Sequence, residues 1–264
     1  MHYRRFGKTE MNLSVFTLGL MRYMSGDQDN ANRLIQRAVE LGINHLETAH
    51  GYKGSEQLLG LALKTIDRNK VYITTKVGPK ETYDEFMTDF EKSMTSLDIS
   101  VLDTLDIHGI NNEQSFQRAT NEKGTWRAVR KLLDSGAIKH IGFSTHGKTP
   151  IVLKAINTGM FESINLHYYW FDQAHAPVIA RAAKLDMGVL IISPNEKGGM
   201  LFRPTEILNQ LSAPFHPMNL NQRWLLSQPG VTTLTVGAAI PSDLDQHMIV
   251  ADVTGPLSDE ERAV

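Results

Sequence analysis

Residues 46–56, LETAHGYKGSE, close a short apolar run with Glu47 and, five positions on, Tyr52. Twenty-four residues later Lys76 comes near the end of 71–77, VYITTKV, and thirty-two further His108 ends 102–108, LDTLDIH. A carboxylate, a phenol, an amine and an imidazole thus stand at the ends of three successive strand-like segments. Side chains at the carboxyl ends of parallel barrel strands converge on one mouth. There these four types make a proton-transfer set. Each alone reads as an ordinary polar residue at a strand end; their joint order points to catalysis.

The elements that must position them alternate strictly. Short runs rich in β-branched residues fall at 15–20, 44–49, 71–77, 102–108, 139–145, 163–169, 188–194 and 232–238. Helix-like stretches lie between them, at 30–42, 55–64, 82–97, 125–135, 149–158, 175–185, 218–227 and 242–250. Ser55 and Ser242 read as N-caps. Eight strand–helix units imply parallel strands, and eight is the number that closes a (β/α)8 barrel. An open doubly wound sheet is the alternative, but the glycine-rich turn it carries after its first strand is missing. Residues 1–14 precede the first strand and predict a hairpin over the barrel bottom. Residues 195–217 form a long connection after the seventh strand, beside the usual phosphate site of such barrels. Ser258 and Glu261 have the spacing of a capping box close to the last residue, Val264. We therefore expect one barrel domain over 1–264, shortened at its C-terminal end relative to a parent chain.

Composition narrows the partners. A formal net charge of -2 gives no electrostatic case for nucleic acid or an anionic membrane. No run of about 18 apolar residues is present, and the N-terminus lacks the apolar core of a signal peptide, so cytoplasm is the default expectation. The absence of cysteine excludes disulfides, thiolate catalysis and cysteine-ligated metal within this chain. The histidines do not follow the HExxH metal spacing, so no metal is expected.

The segments 3–14, 47–56, the ITTK ending at Lys76, the DxxxxH ending at His108, 140–145 (HIGFST) and 193–201 (SPNEKGGML) resemble, in order, the aldo-keto reductase superfamily. The runs 19–22 (GLMR), 142–147 (GFSTHG) and 197–201 (KGGML) are most similar to bacterial members that end in a cysteine-rich, ferredoxin-like tail, which this sequence lacks. The resemblance implies reduction of aldehydes or ketones by a nicotinamide cofactor, NADP or NAD. It makes Tyr52 the proton donor, Lys76 its ion-paired neighbour, Glu47 the carboxylate on that lysine and His108 the imidazole facing the carbonyl. Chemistry is consistent with those roles: a phenol of pKa near 10 is a poor acid at neutral pH, and a nearby ammonium stabilises its phenolate. Glu47 departs from the family's usual aspartate by one methylene.

For the cofactor the resemblance implies Met21, Arg22, Ser144, Thr145 and Asn165 around the nicotinamide end. It adds Ser193, Asn195, Lys197 and Gly199 in the covering loop, and Gly237, Asp243, Gln246 and His247 at the adenosine end. Thr145 stands where asparagine is usual and Asn165 where glutamine is usual. Asp243 replaces a phosphate-clamping arginine, which favours weak discrimination or a modest preference for NADH. Two other classes compete: a non-catalytic cofactor-binding or regulatory barrel, and a phosphate-binding barrel lyase or isomerase. The partner expected is a small carbonyl compound.

Overall fold

A parallel strand covered by helices outside and packed side chains inside is buried on both faces. The computed structural model, which describes residues 1–22, 27–196, 199–253 and 255–264, has this character. An antiparallel hairpin, β1 (Tyr3–Arg5) and β2 (Asn12–Ser14), comes first. The barrel strands follow: β3 (Phe16–Gly19), β4 (His45–Glu47), β5 (Tyr72–Val77), β6 (Leu102–His108), β7 (Ile138–Ser144), β8 (Ser163–Leu166), β9 (Gly188–Ile192) and β10 (Thr233–Gly237). All pair in parallel with their sequence neighbours, and β10 returns to β3 to close the ring. Every residue of β3, β4 and β8 is buried.

The helices are α1 (Gln28–Glu40), α2 (Ser55–Leu63), α3 (Tyr83–Leu97), α4 (Glu113–Ala119), α5 (Thr125–Asp134), α6 (Thr149–Ile156), α7 (Ala176–Lys184), α8 (Glu206–Ser212), α9 (Pro217–Ser227) and α10 (Asp259–Arg262). None of the described helices is long and apolar enough to cross a membrane. Two expected caps differ. Gly54, in the left-handed region at φ 76°, is the N-cap of α2. Ser55 instead bonds Leu20 O at 2.9 Å and Thr48 Oγ1 at 2.7 Å, pinning the helix start to the ends of β3 and β4. Pro241–Val250 is a 3-10 helix rather than an α-helix capped by Ser242; the Asp243 carboxylate accepts from the Ala239 and Ile240 amides. The long connection holds a 3-10 turn, Met200–Phe202, and α8.

The hairpin closes the barrel floor. Phe6, Met11, Leu13 and Leu190 form a separate buried cluster there. Gly188 admits the Phe6 ring: a Cβ at 188 would stand 2.5 Å from it. Above the ring, His45 bonds Thr17 and Thr74, each at 2.8 Å. Burial pulls its pKa down to about 4, so it is a neutral core imidazole. Phe6→Ala should therefore cost about 3–5 kcal/mol of unfolding free energy. A chemical denaturation midpoint unchanged in that variant would contradict the plug.

Candidate active site

Alternation along a strand sends every second side chain into the barrel. It brings Glu47 from β4, Lys76 from β5, Asp106 and His108 from β6, Gly142 and Ser144 from β7 and Asn165 from β8 to the upper interior. After Glu47 the chain keeps the strand direction a little longer, with Thr48 N on Thr74 O and His50 N on Lys76 O, both 2.9 Å. It then turns, Tyr52 N bonding Ala49 O at 2.9 Å. That turn lays Tyr52 over Lys76.

Lys76 and Glu47 form a fully buried ion pair, their side chains 2% and 3% exposed. Lys76 Nζ also donates to Thr48 O at 3.0 Å and stands 3.5 Å from Tyr52 Oη, at the limit of a hydrogen bond. The Tyr52 ring meets His108 edge-on, centroids 5.9 Å apart at 89°. Asn165 Nδ2 donates to Glu47 Oε1 at 2.7 Å across the barrel. The four residues expected from sequence are thus one contiguous group, with Asn165 as an unforeseen fifth member.

Electrostatics set the protonation states. Burial alone would neutralise the pair, but each charge outweighs it in the other: Lys76 is raised, and Glu47 is held below the usual carboxylate range. Burial raises the Tyr52 phenol, and the opposing pull of Lys76 does not cancel it. Tyr52 therefore keeps its proton at neutral pH. Burial, assisted by Lys76, lowers His108 to about 4, so its imidazole is neutral.

The cofactor residues separate into groups. Ser144 and Asn165 are register neighbours on β7 and β8 at the mouth. Ser144 Oγ accepts from Gly109 N at 3.2 Å. Asn165 Oδ1 is buried without a hydrogen-bond partner among the described residues, an acceptor that an incoming amide N–H would satisfy. Arg22 lies over Gly237, and Met21 is exposed beside it. Ser193 and Gly199 adopt positive φ, 50° and 78°, in the covering loop, and Lys197 lies outside the described residues. Other positions are occupied internally. Thr145 Oγ1 donates to Ile110 O at 2.7 Å. Asn195 Oδ1 accepts from Gln222 at 2.7 Å. Asp243 caps the 3-10 helix, and Gln246 O accepts from Asn219 at 2.9 Å. His247, expected at the adenosine end, is wholly buried, bonded to Gln222 at 2.8 Å and packed against Phe16.

Sequence reasoning passed over Asp106, although it sits two residues before His108 and so shares its face. It also treated His146 and His167 as bland. They bond each other at 2.7 Å, His167 reaches Tyr169 Oη, and all three line a cleft of about 550 Å3 at the mouth. Trp170 stacks on Trp224 at 6.4 Å, a packing role.

A family model described as the aldo/keto reductase family matches residues 16–212, about three quarters of the chain. The chain belongs to the aldo/keto reductase family. Among characterised members it is similar to the glyoxal reductase of Bacillus subtilis, 27% identical over 243 residues, covering 89% of this chain and 80% of that protein. A Mycobacterium aldo-keto reductase is 27% identical over 194 residues, covering 73% and 68%. Among solved structures, a Bacillus halodurans aldo-keto reductase superposes with a TM-score of 0.85 at 22% identity, covering 100% and 94%. A Klebsiella pneumoniae aldo/keto reductase, solved with NADP and acetate, superposes at 0.79 with 21% identity, covering 99% and 93%. At these identities the structural likeness speaks for the barrel alone.

The extra methylene of Glu47 meets the short side chain of Asn165, so the two lengths fit each other. Glu47→Asp or Asn165→Gln alone should each cost about 1–3 kcal/mol of stability, the size of a buried charged hydrogen bond. The double variant should recover most of that loss. Strictly additive losses in a double-mutant cycle would rule out the length match.

Proposed function

We propose that this aldo/keto reductase reduces small aldehydes or ketones to alcohols, with Tyr52 as the proton donor. The observation that carries the reading is the buried line Glu47–Lys76–Tyr52 with a neutral His108 beside the phenol. A bound nicotinamide, as NADPH or NADH, supplies the hydride. The chain supplies geometry and one proton. His108 donates a hydrogen bond to the carbonyl oxygen and aims it at Tyr52 Oη. Tyr52 gives its proton to that oxygen as charge builds there. Lys76 stabilises the phenolate, and Glu47 keeps Lys76 charged although both are buried. Ser144 and the free acceptor of Asn165 suit a carboxamide, and Arg22 stands ready at the mouth for phosphate. The glyoxal reductase relative makes glyoxal a first substrate to assay.

Cofactor choice follows from charge. A 2′-phosphate needs cationic or multiple hydrogen-bonding partners. Asp243 offers the opposite sign even while it caps its helix, so weak discrimination or a modest preference for NADH is expected. Fluorescence titration that finds NADPH bound a hundredfold tighter would refute this.

Tyr52→Phe should lose roughly 10²-fold or more in rate, the range general acids contribute, with cofactor affinity nearly unchanged. Lys76→Met should lose at least as much. Comparable turnover by Tyr52→Phe would sink the assignment. Because His108 titrates only near 4, kcat/KM for reduction should show no acid limb between about pH 5 and 7 from an imidazole, where a free histidine would give one.

A further inference from the structure

One buried carboxylate stands beside this site without a part in the reaction as described. Asp106 is 4% exposed and faces the barrel interior one rung below His108. Its register neighbours are Lys76 on β5 and Gly142 on β7. Gly142 makes its room: a Cβ there would stand 2.3 Å from Asp106 Oδ1 and 2.2 Å from Ser163 Oγ. Asn165, already bonded to Glu47, also reaches the Asp106 carboxyl. A place has thus been kept for a second acid beside one lysine.

We propose that Asp106 is a positioning residue which, through Lys76 and Asn165, sets how tightly Tyr52 holds its proton and so the pH at which reduction falls away. The proposal rests on Tyr52 being the proton donor.

The groups around Asp106 are Lys76 from β5, Glu47 from β4, Tyr52 from the following turn, His108 from its own strand and Asn165 and Ser163 from β8. From β7 it meets uncharged Gly142. Two carboxylates and one ammonium, all ionised, would leave a net negative charge in a buried site. Glu47 keeps its charge because it holds the ion pair and the Asn165 bond. Asp106 takes the proton: burial drives its carboxyl up to about 7, with Lys76 opposing and Glu47 assisting.

The sign follows. Below about 7 Asp106 is neutral, and Lys76 acts on Tyr52 against Glu47 alone. Above it Asp106 is an anion, and its charge raises the pKa of both Tyr52 and Lys76. The neutral form favours the phenolate. That is the base which takes the hydroxyl proton when an alcohol passes its hydride to the oxidised nicotinamide. The anionic form favours the phenol, the acid for carbonyl reduction.

Asp106→Asn keeps the shape and removes the titration. We would measure kcat/KM for glyoxal reduction, and for oxidation of its alcohol product, from about pH 5 to about pH 10. The ratio of reduction to oxidation is fixed by an overall equilibrium that consumes a proton, so the reading is the alkaline limb of reduction, where Tyr52 loses its proton. In Asp106→Asn that alkaline limb should move down by about one unit. A role in packing alone would lower both rates and move neither profile; superimposable profiles overturn the proposal. Tyr52→Phe, run in parallel, separates the two assignments. If it stays active, the proton donor is wrong, and this proposal falls with it. If it is inactive while Asp106→Asn has an unchanged profile, only Asp106 is wrong. Should Asp106→Asn not fold, infrared spectra of the unaltered protein decide. A protonated-carboxyl band that disappears through about pH 7 is expected, and its absence at about pH 6 overturns the proposal.

Discussion

The Lys76–Glu47 ion pair is the constraint around which the upper barrel is arranged. Moving either charge out of water costs several kcal/mol, and the loss is recovered only where the partner and further hydrogen bonds are in place. Each neighbour serves that requirement. Thr48 O takes a second ammonium proton, Asn165 Nδ2 donates to the same Glu47 oxygen that Lys76 meets, and the Tyr52 hydroxyl stands at 3.5 Å from the ammonium. Because the pair and its partners come from three different stretches of chain, at β4, β5 and β8, the pair also fixes how those strands stand relative to one another.

Polarity is layered along the barrel axis. The floor is apolar, with Phe6 beneath the ring of strands. The middle holds neutral groups that satisfy each other, His45 between Thr17 and Thr74. The buried Lys76–Glu47 pair lies at the top, near the mouth. The extension of β4 into residues 48–52 completes this order, because its amides bond β5 carbonyls before the turn delivers the phenol. Tyr52 is therefore attached to the scaffold through backbone pairing, which holds position better than a free loop.

Much of this was legible in the sequence. The eight strands fall where the apolar runs predict, the N-terminal hairpin forms, and Glu47, Tyr52, Lys76 and His108 meet. Strand periodicity carries that information because it is local. What stayed hidden depends on contacts between distant strands. Asn165 reaches Glu47 across 118 residues of chain. His247 follows a polar stretch and looks exposed, yet Gln222 gives it a partner inside. Asp243 looks like a ligand, yet the turn before it needs its carboxylate. Asp106 was readable by counting back two from His108, but an acid in a barrel core contradicts ordinary burial preference until Gly142 is seen to leave it space.

The match between a long acid at 47 and a short amide at 165 also bears on ancestry. If the two fit only together, neither exchange is a free step from a shorter acid facing a longer amide. A lineage making the change had to cross a weakened intermediate, or make it while spare stability could absorb the loss. Once both were fixed, going back would be as hard as coming. Positions 47 and 165 should then be inherited as a unit, and homologues should separate into two sets with few chimaeras between them.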